Sequence, residues 1–141
     1  MYFRKMKPSL GVLALFLCGL SPVASQAPSR QPSVINMECA ASDCPLLSGP
    51  PQTAGMRSGF VRLKPGQTVG WHSTDKNEES LVILHGSGTA LIEGSRNLAF
   101  KAPQLVYIPP ETRHNVQNTG SETLEYVYVV APAKEFVPPK P

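Results

Sequence analysis

The chain reads as an all-β protein, and three observations carry that expectation. From about residue 56 to residue 132, short runs rich in β-branched and aromatic residues follow one another, each closed by Gly, Pro, Asn or Ser. They recur about every eight to twelve residues, the spacing of a sandwich or a barrel. No stretch of that region has the 3.6-residue apolar period of an amphipathic helix of useful length. With 141 residues and 41% hydrophobic content, the chain can bury one core and not two.

The elements follow in order. "MYFRKMKPSLGVLALFLCGLSPVASQ" places Arg4, Lys5 and Lys7 before an apolar run from Leu10 to Leu20, then small and polar residues. That is the form of a secretory signal peptide over residues 1–25, with cleavage after Ala24 or Ser25. The apolar run is about half a bilayer span, so no stable membrane anchor is expected after cleavage. Leu17 before Cys18 is too bulky for lipoprotein processing, and there is no twin arginine. The expected location is periplasmic or secreted. Without those residues the chain carries ten Lys+Arg against ten Asp+Glu, so nothing points to nucleic acid or an anionic membrane as partner.

Residues 26–49 read as a Pro/Ser-rich arm. Its "ECAASDCP" holds Cys39 and Cys44, an even pair that an oxidising compartment most simply turns into a disulfide. A C-x4-C metal clip is the rival reading, but no second Cys or His pair lies nearby. The barrel is expected over residues 50–132. Its strands are expected in "MRSGFVRLKPG", "QTVGWHST", "ESLVILHG", "GTALIEG", "NLAFKAP", "QLVYIPP", "RHNVQNTG" and "TLEYVYVVAP". In the last of these, Leu124, Tyr126, Tyr128 and Val130 share one face, and Glu125, Val127 and Val129 the other. Both faces are largely apolar, which predicts a second cover such as a partner subunit in a homodimer. The tail 133–141, with "FVPPKP", cannot continue a sheet.

There is no Gly-rich phosphate loop, no G-x-S-x-G and no H-E-x-x-H. The chemistry lies elsewhere. His72 and His114 each sit at the edge of an expected strand, and Glu79 begins the next one, so a closed β-architecture can bring the three together. Glu79 alternates with Leu81 and Ile83; if those face the core, so does the carboxylate, which must then find a cation, a donor or a proton.

The spacing resembles that of the cupin superfamily, small jelly-roll barrels of the double-stranded β-helix type built around two motifs. The first reads here "GQTVGWHSTDKNEESLVILHG", with Gly66, His72, Thr74 where the family has a second histidine, Glu79 and Gly86. The second reads "PQLVYIPPETRHNVQN", with Pro103 and Glu111 at the two family glycines, Pro109, His114 and Asn118. The resemblance implies a cupin-type barrel in which His72, Glu79 and His114 hold a divalent metal such as Fe, Mn, Ni or Zn, and it also implies a homodimer. Two histidines and one carboxylate suit non-haem Fe(II), and three ligands plus a water suit Zn²⁺.

Thr74 would then hold a metal-bound water or a substrate oxygen. The other reading is a polar pocket without metal, in which Glu79 has a raised pKa and serves as acid or base, or is merely satisfied. Trp71 and Tyr107 line a pocket mouth or are packed, Asn118 supports a turn, and His85 belongs to a solvated loop. Two function classes follow. One is a metal-dependent enzyme of the dioxygenase, isomerase or decarboxylase kind, with Glu79 as ligand and catalytic group, acting on a small oxygen-rich molecule. The other is a non-catalytic module binding a sugar or organic acid in the same pocket.

Overall fold

A computed structural model describes residues 30–134. The expected signal peptide and the tail beyond residue 134 lie outside the described residues. Among the described residues eight strands form: β1 Asp43–Ser48, β2 Arg57–Leu63, β3 Asn77–His85, β4 Ser87–Ile92, β5 Leu98–Lys101, β6 Gln104–Ile108, β7 His114–Gln117 and β8 Leu124–Pro132. They build two antiparallel sheets, one ordered β1-β2-β8-β3-β6 and the other β5-β4-β7. Among the described residues there is no helix.

Alternation explains the core. Val61 and Leu63 on β2, Leu81 and Ile83 on β3, and Val106 and Ile108 on β6 turn inward and meet Ala90, Phe100 and Val116 of the smaller sheet. Side chains as enclosed as Leu81 and Ile83 each contribute about 1.5–3 kcal/mol by leaving water. A well-filled inner layer holds β3 in place, and β3 carries Glu79.

Two expectations about elements are corrected. "QTVGWHST" is not a continuous strand; it touches β7 through two isolated bridges, Thr68 to Gln117 and His72 to His114. Gly70, at φ +92°, sits between them and breaks the pleat. The second correction concerns the arm. Residues 43–48 form β1, which pairs with β2 and shifts register between Pro45 and Leu47. Proline is compatible with this position because β1 is an edge strand and the shift leaves the ladder irregular there. The arm thus contributes a strand to the larger sheet.

On β8 the two face groups are as the alternation predicts, and Leu124, Tyr126, Tyr128 and Val130 form the inner one. Val127 stands beside Val82, which stands beside Leu105; Val129 stands beside Ser80, which stands beside Tyr107. Val82, Leu84, Leu105 and Tyr107 are exposed on this outer face.

Candidate functional site

The bridge between His72 and His114 is a reciprocal pair of backbone hydrogen bonds, each 2.9 Å. It sets the two imidazoles side by side, with ring centroids 4.3 Å apart and ring planes tilted by 58°. Each ring is oriented by its own chain. Nδ1 of His72 lies 3.0 Å from the carbonyl of Gly70, and Nδ1 of His114 lies 3.0 Å from that of Thr112. A carbonyl can only accept, so each Nδ1 carries the proton, and in the neutral ring Nε2 keeps a free lone pair.

Glu79 enters from the start of β3. Ligand atoms of His72, Glu79 and His114 all lie within 4.8 Å of one another. His114 is fully buried and Glu79 nearly so. Nε2 of His114 is 3.2 Å from Oε2 of Glu79, yet neither atom has an aligned hydrogen-bond partner. Two lone pairs and a carboxylate therefore converge with no donor among them, Glu79 and His114 out of water and His72 partly so, an arrangement that calls for a cation or an added proton. The donor set fits a divalent metal. Without one, burial works to lower the His114 pKa, but the Glu79 carboxylate and the Thr112 carbonyl outweigh it, and the net displacement is upward.

His72 and Glu79 stand at the wall of a cavity of about 480 Å³, with His114 fully buried beside Glu79. Trp71, His72, Thr74 and Glu79 line it from the first motif, and Asp43, Arg57, Tyr126 and Tyr128 from the larger sheet. Trp71 is half-exposed at the opening, with the Arg113 guanidinium 5.6 Å from its ring. Burial, followed by nearby carboxylates, pushes the phenol pKa values of Tyr126 and Tyr128 up. For Tyr128 the acting charges are Asp43, then Glu79, with Arg57 pulling the other way. Both phenols are neutral donors at ordinary pH.

The remaining predicted residues divide. Thr74 lines the cavity, but its hydroxyl donates to the Asn77 carbonyl at 2.9 Å, while Asn77 Nδ2 returns a bond to the Thr74 carbonyl at 2.7 Å. Its proton closes the loop that delivers Glu79 rather than reaching into the pocket. Tyr107, expected at a pocket mouth or packed, does not line this cavity. It stands on the outer face of β6, 3.2 Å from a Glu78 carboxylate oxygen, because Val106 and Ile108 take the inward positions.

Asn118 lies away from the cavity and ties the strands: its Nδ2 donates to the carbonyls of Leu63 and Glu122, and its Oδ1 accepts from Gly120 N–H. His85 is exposed beside the Thr123 carbonyl, 2.9 Å away. Cys39 and Cys44 are joined as a disulfide. Glu111, at a family glycine, still takes the left-handed turn at φ +59°, and its N–H reaches the Asp75 carbonyl at 2.6 Å.

Asp43, Arg57, Tyr126 and Tyr128 were not expected from the sequence as pocket residues. The alternation in "TLEYVYVV" already put both tyrosines on one face with Leu124 and Val130, and that was the available signal; that this face is the inner one came from the structure. Nothing local marked Asp43 or Arg57, whose inward direction depends on the pairing of β1 and β2.

The fold and the paired motifs agree with comparison to known proteins. Residues 59–130 match the cupin domain family, and the chain belongs to it. It is 30% identical over 94 residues to polyketide synthase CurC of Streptomyces cyaneus, covering 64% of this chain and 58% of that one. It is also 30% identical over 73 residues to the oxalate-binding protein of Thermotoga maritima, covering 50% of this chain and 60% of that one. The chain thus spans about three fifths of the length of these relatives. Among solved structures it resembles an RmlC-like cupin family protein with a double-stranded β-helix fold from Methanocaldococcus jannaschii. The TM-score is 0.58 at 23% identity, with 72% of this chain and 91% of that one covered.

Proposed function

We propose that this cupin barrel binds one divalent metal ion through His72, Glu79 and His114 and acts on, or binds, a small oxygen-rich molecule in the adjoining cavity. The observation that carries this reading is the convergence of two imidazole lone pairs and a carboxylate within 4.8 Å, with the buried Oε2 and Nε2 atoms lacking any donor. Relatives that include an oxalate-binding protein support the ligand class. When bound, such an ion would supply Lewis-acid stabilisation of negative charge developing on substrate oxygens.

The chain's own residues do the rest. The carbonyls of Gly70 and Thr112 hold both imidazoles in the tautomer that keeps Nε2 free. Tyr126 and Tyr128 offer neutral donors, and Trp71 adds an aromatic face to the cavity wall. Thr74 in place of a fourth ligand leaves room beside the trio for a substrate oxygen. Elemental analysis of the purified protein is the test: near one equivalent of Fe, Mn, Ni or Zn is expected. If none is found, and none of these ions raises the melting temperature, the metal-free binding module replaces this reading.

The setting follows from two further features. The export signal over residues 1–25 and the Cys39–Cys44 disulfide support a periplasmic or secreted protein; two free thiols in the native exported protein would count against it. The outer face of β8, β3 and β6 suits a second copy of the chain. Its Val82, Leu105, Val127 and Val129 form one apolar surface, and the bordering charges are already engaged, Glu78 by Tyr107 and Glu125 by Arg62. Light scattering is expected to give a dimer mass.

A further inference from the structure

The larger sheet places a cation in line with the candidate metal site. Arg57 on β2 stands opposite Val130 on β8, and Val130 stands opposite Glu79 on β3. Arg57 and Glu79 thus occupy one cross-strand row, on one face, two strand spacings or about 10 Å apart at the backbone. Both line the same cavity. In the next row Tyr128 lies between Gly59 and Leu81, and in the one after it Tyr126 lies between Val61 and Ile83. Gly59 is what lets the Tyr128 ring lie over β2, since a Cβ there would fall 2.5 Å from the ring and its hydroxyl.

Among the described residues these groups have no ion-pair or hydrogen-bond partner. The ion pairs among the described residues are Arg62 with Glu125, Arg113 with Glu93, and Glu79 with His114, so the Arg57 guanidinium is left without a carboxylate. Neither tyrosine hydroxyl has a hydrogen-bond partner among the described residues. Asp43 also lines the cavity, opposite Val61, but lies beyond ion-pair distance of Arg57.

We propose that Arg57, with the hydroxyls of Tyr128 and Tyr126, is a carboxylate-binding wall facing the His72–Glu79–His114 trio, so that the ligand is a small organic acid carrying oxygen groups at both ends. A guanidinium and two phenols are all donors, and a carboxylate is the compact group that accepts from all three, with charge assistance from the arginine. Asp43 adds an acceptor at the border of this wall, which suits a hydroxyl on the same acid and disfavours another carboxylate on that side. The inner end of the ligand rests on the metal reading above; the Arg57 end does not.

Isothermal titration tests the wall, using the full exported protein with excess Mn²⁺ and, in parallel, with EDTA. The probes are succinate, malate and 2-oxoglutarate, each against its monoamide, with parent, Arg57→Gln and Tyr128→Phe proteins. At least one acid is expected to bind the parent saturably and at least tenfold more tightly than its amide. Arg57→Gln is expected to erase that preference and weaken the acid tenfold or more, with Mn²⁺ affinity within twofold of the parent, which also shows that the fold is intact. Tyr128→Phe is expected to weaken it about threefold. An undiminished preference in Arg57→Gln, or no saturable binding of any acid, overturns the proposal. Failure of Mn²⁺ to bind overturns the metal reading alone, because the Arg57 dependence is still read in EDTA.

Discussion

On β3 and β8 the alternation that turns Glu79, Tyr126 and Tyr128 toward the interior turns Val82, Leu84, Val127 and Val129 outward. The two faces of one sheet therefore reverse the usual distribution of polarity near the site. The inner face gathers a carboxylate, two phenols and, with His72 and His114, two imidazoles, in a place where polar groups cost about 1–3 kcal/mol each if left unpaired. The outer face presents valines, leucines and a tyrosine where water would be expected. Each departure points to something that completes it: a cation and ligand inside, and an apolar surface outside.

The largest expected effect is on the inner face. Glu79→Ala removes the charged member of the trio and should lower metal affinity by about a hundredfold or more. Metal content after dialysis, with circular dichroism to show the fold retained, checks it; unchanged content would break the contrast by showing that the inward carboxylate serves no ion. The outer face is tested by Leu105→Glu, at the most exposed of its large apolar side chains. This should shift the proposed dimer to monomer in light scattering and leave metal content as in the parent. A change in both would mean that the two faces are not independent.

Between these lies Gly59→Ala. It forces the Tyr128 ring to move and should lower stability by about 1–3 kcal/mol in urea unfolding, from overpacking.

A pH series sharpens the inner face further. The folded-state pKa of His114 is raised, so in metal-free protein the Glu79–His114 pair adds stability that is complete below the unfolded histidine value of about 6.5 and is lost as pH rises through the folded one. The metal-loaded protein should behave oppositely, because protons compete for Nε2 and acid releases the ion. Melting temperatures of the two forms from pH 5.5 to 8.5 should therefore slope in opposite directions. Parallel slopes would show that His114 does not exchange a proton for the ion.

The smallest effect is expected at Glu111, a non-glycine residue in the left-handed region. Glu111→Gly relieves a cost of about 1 kcal/mol, partly offset by the freer unfolded chain, so a gain of at most about 1 kcal/mol is expected in the same unfolding assay.

Much of this is legible in the amino-acid sequence. Strand-forming runs, their turns and the grouping of β8 residues into two faces follow from composition and period. The trio of His72, Glu79 and His114 follows from the spacing of two motifs that resemble a known pair, and His85 is set aside by its position at a turn. Tyr107 was misplaced although its own strand gave the warning, since Val106 and Ile108 on either side of it claim the core. The strand expected through "QTVGWHST" failed for a local reason, the positive φ of Gly70, and β1 was missed because an edge strand containing Pro45 has little strand propensity of its own.

The order of residues along the chain was thus enough for the all-β class, the grouping of the last strand's residues into two faces, and the three residues of the candidate metal centre, because alternation and motif spacing are local properties. Three things came from tertiary structure alone: Arg57 lies two strands from Glu79 on the same row, Asp43 and both tyrosines share their cavity, and the arm supplies a strand. Those neighbours are set by hydrogen-bond register between strands far apart in the chain. Register is chosen by packing of the closed barrel as a whole, and no short stretch of residues contains it.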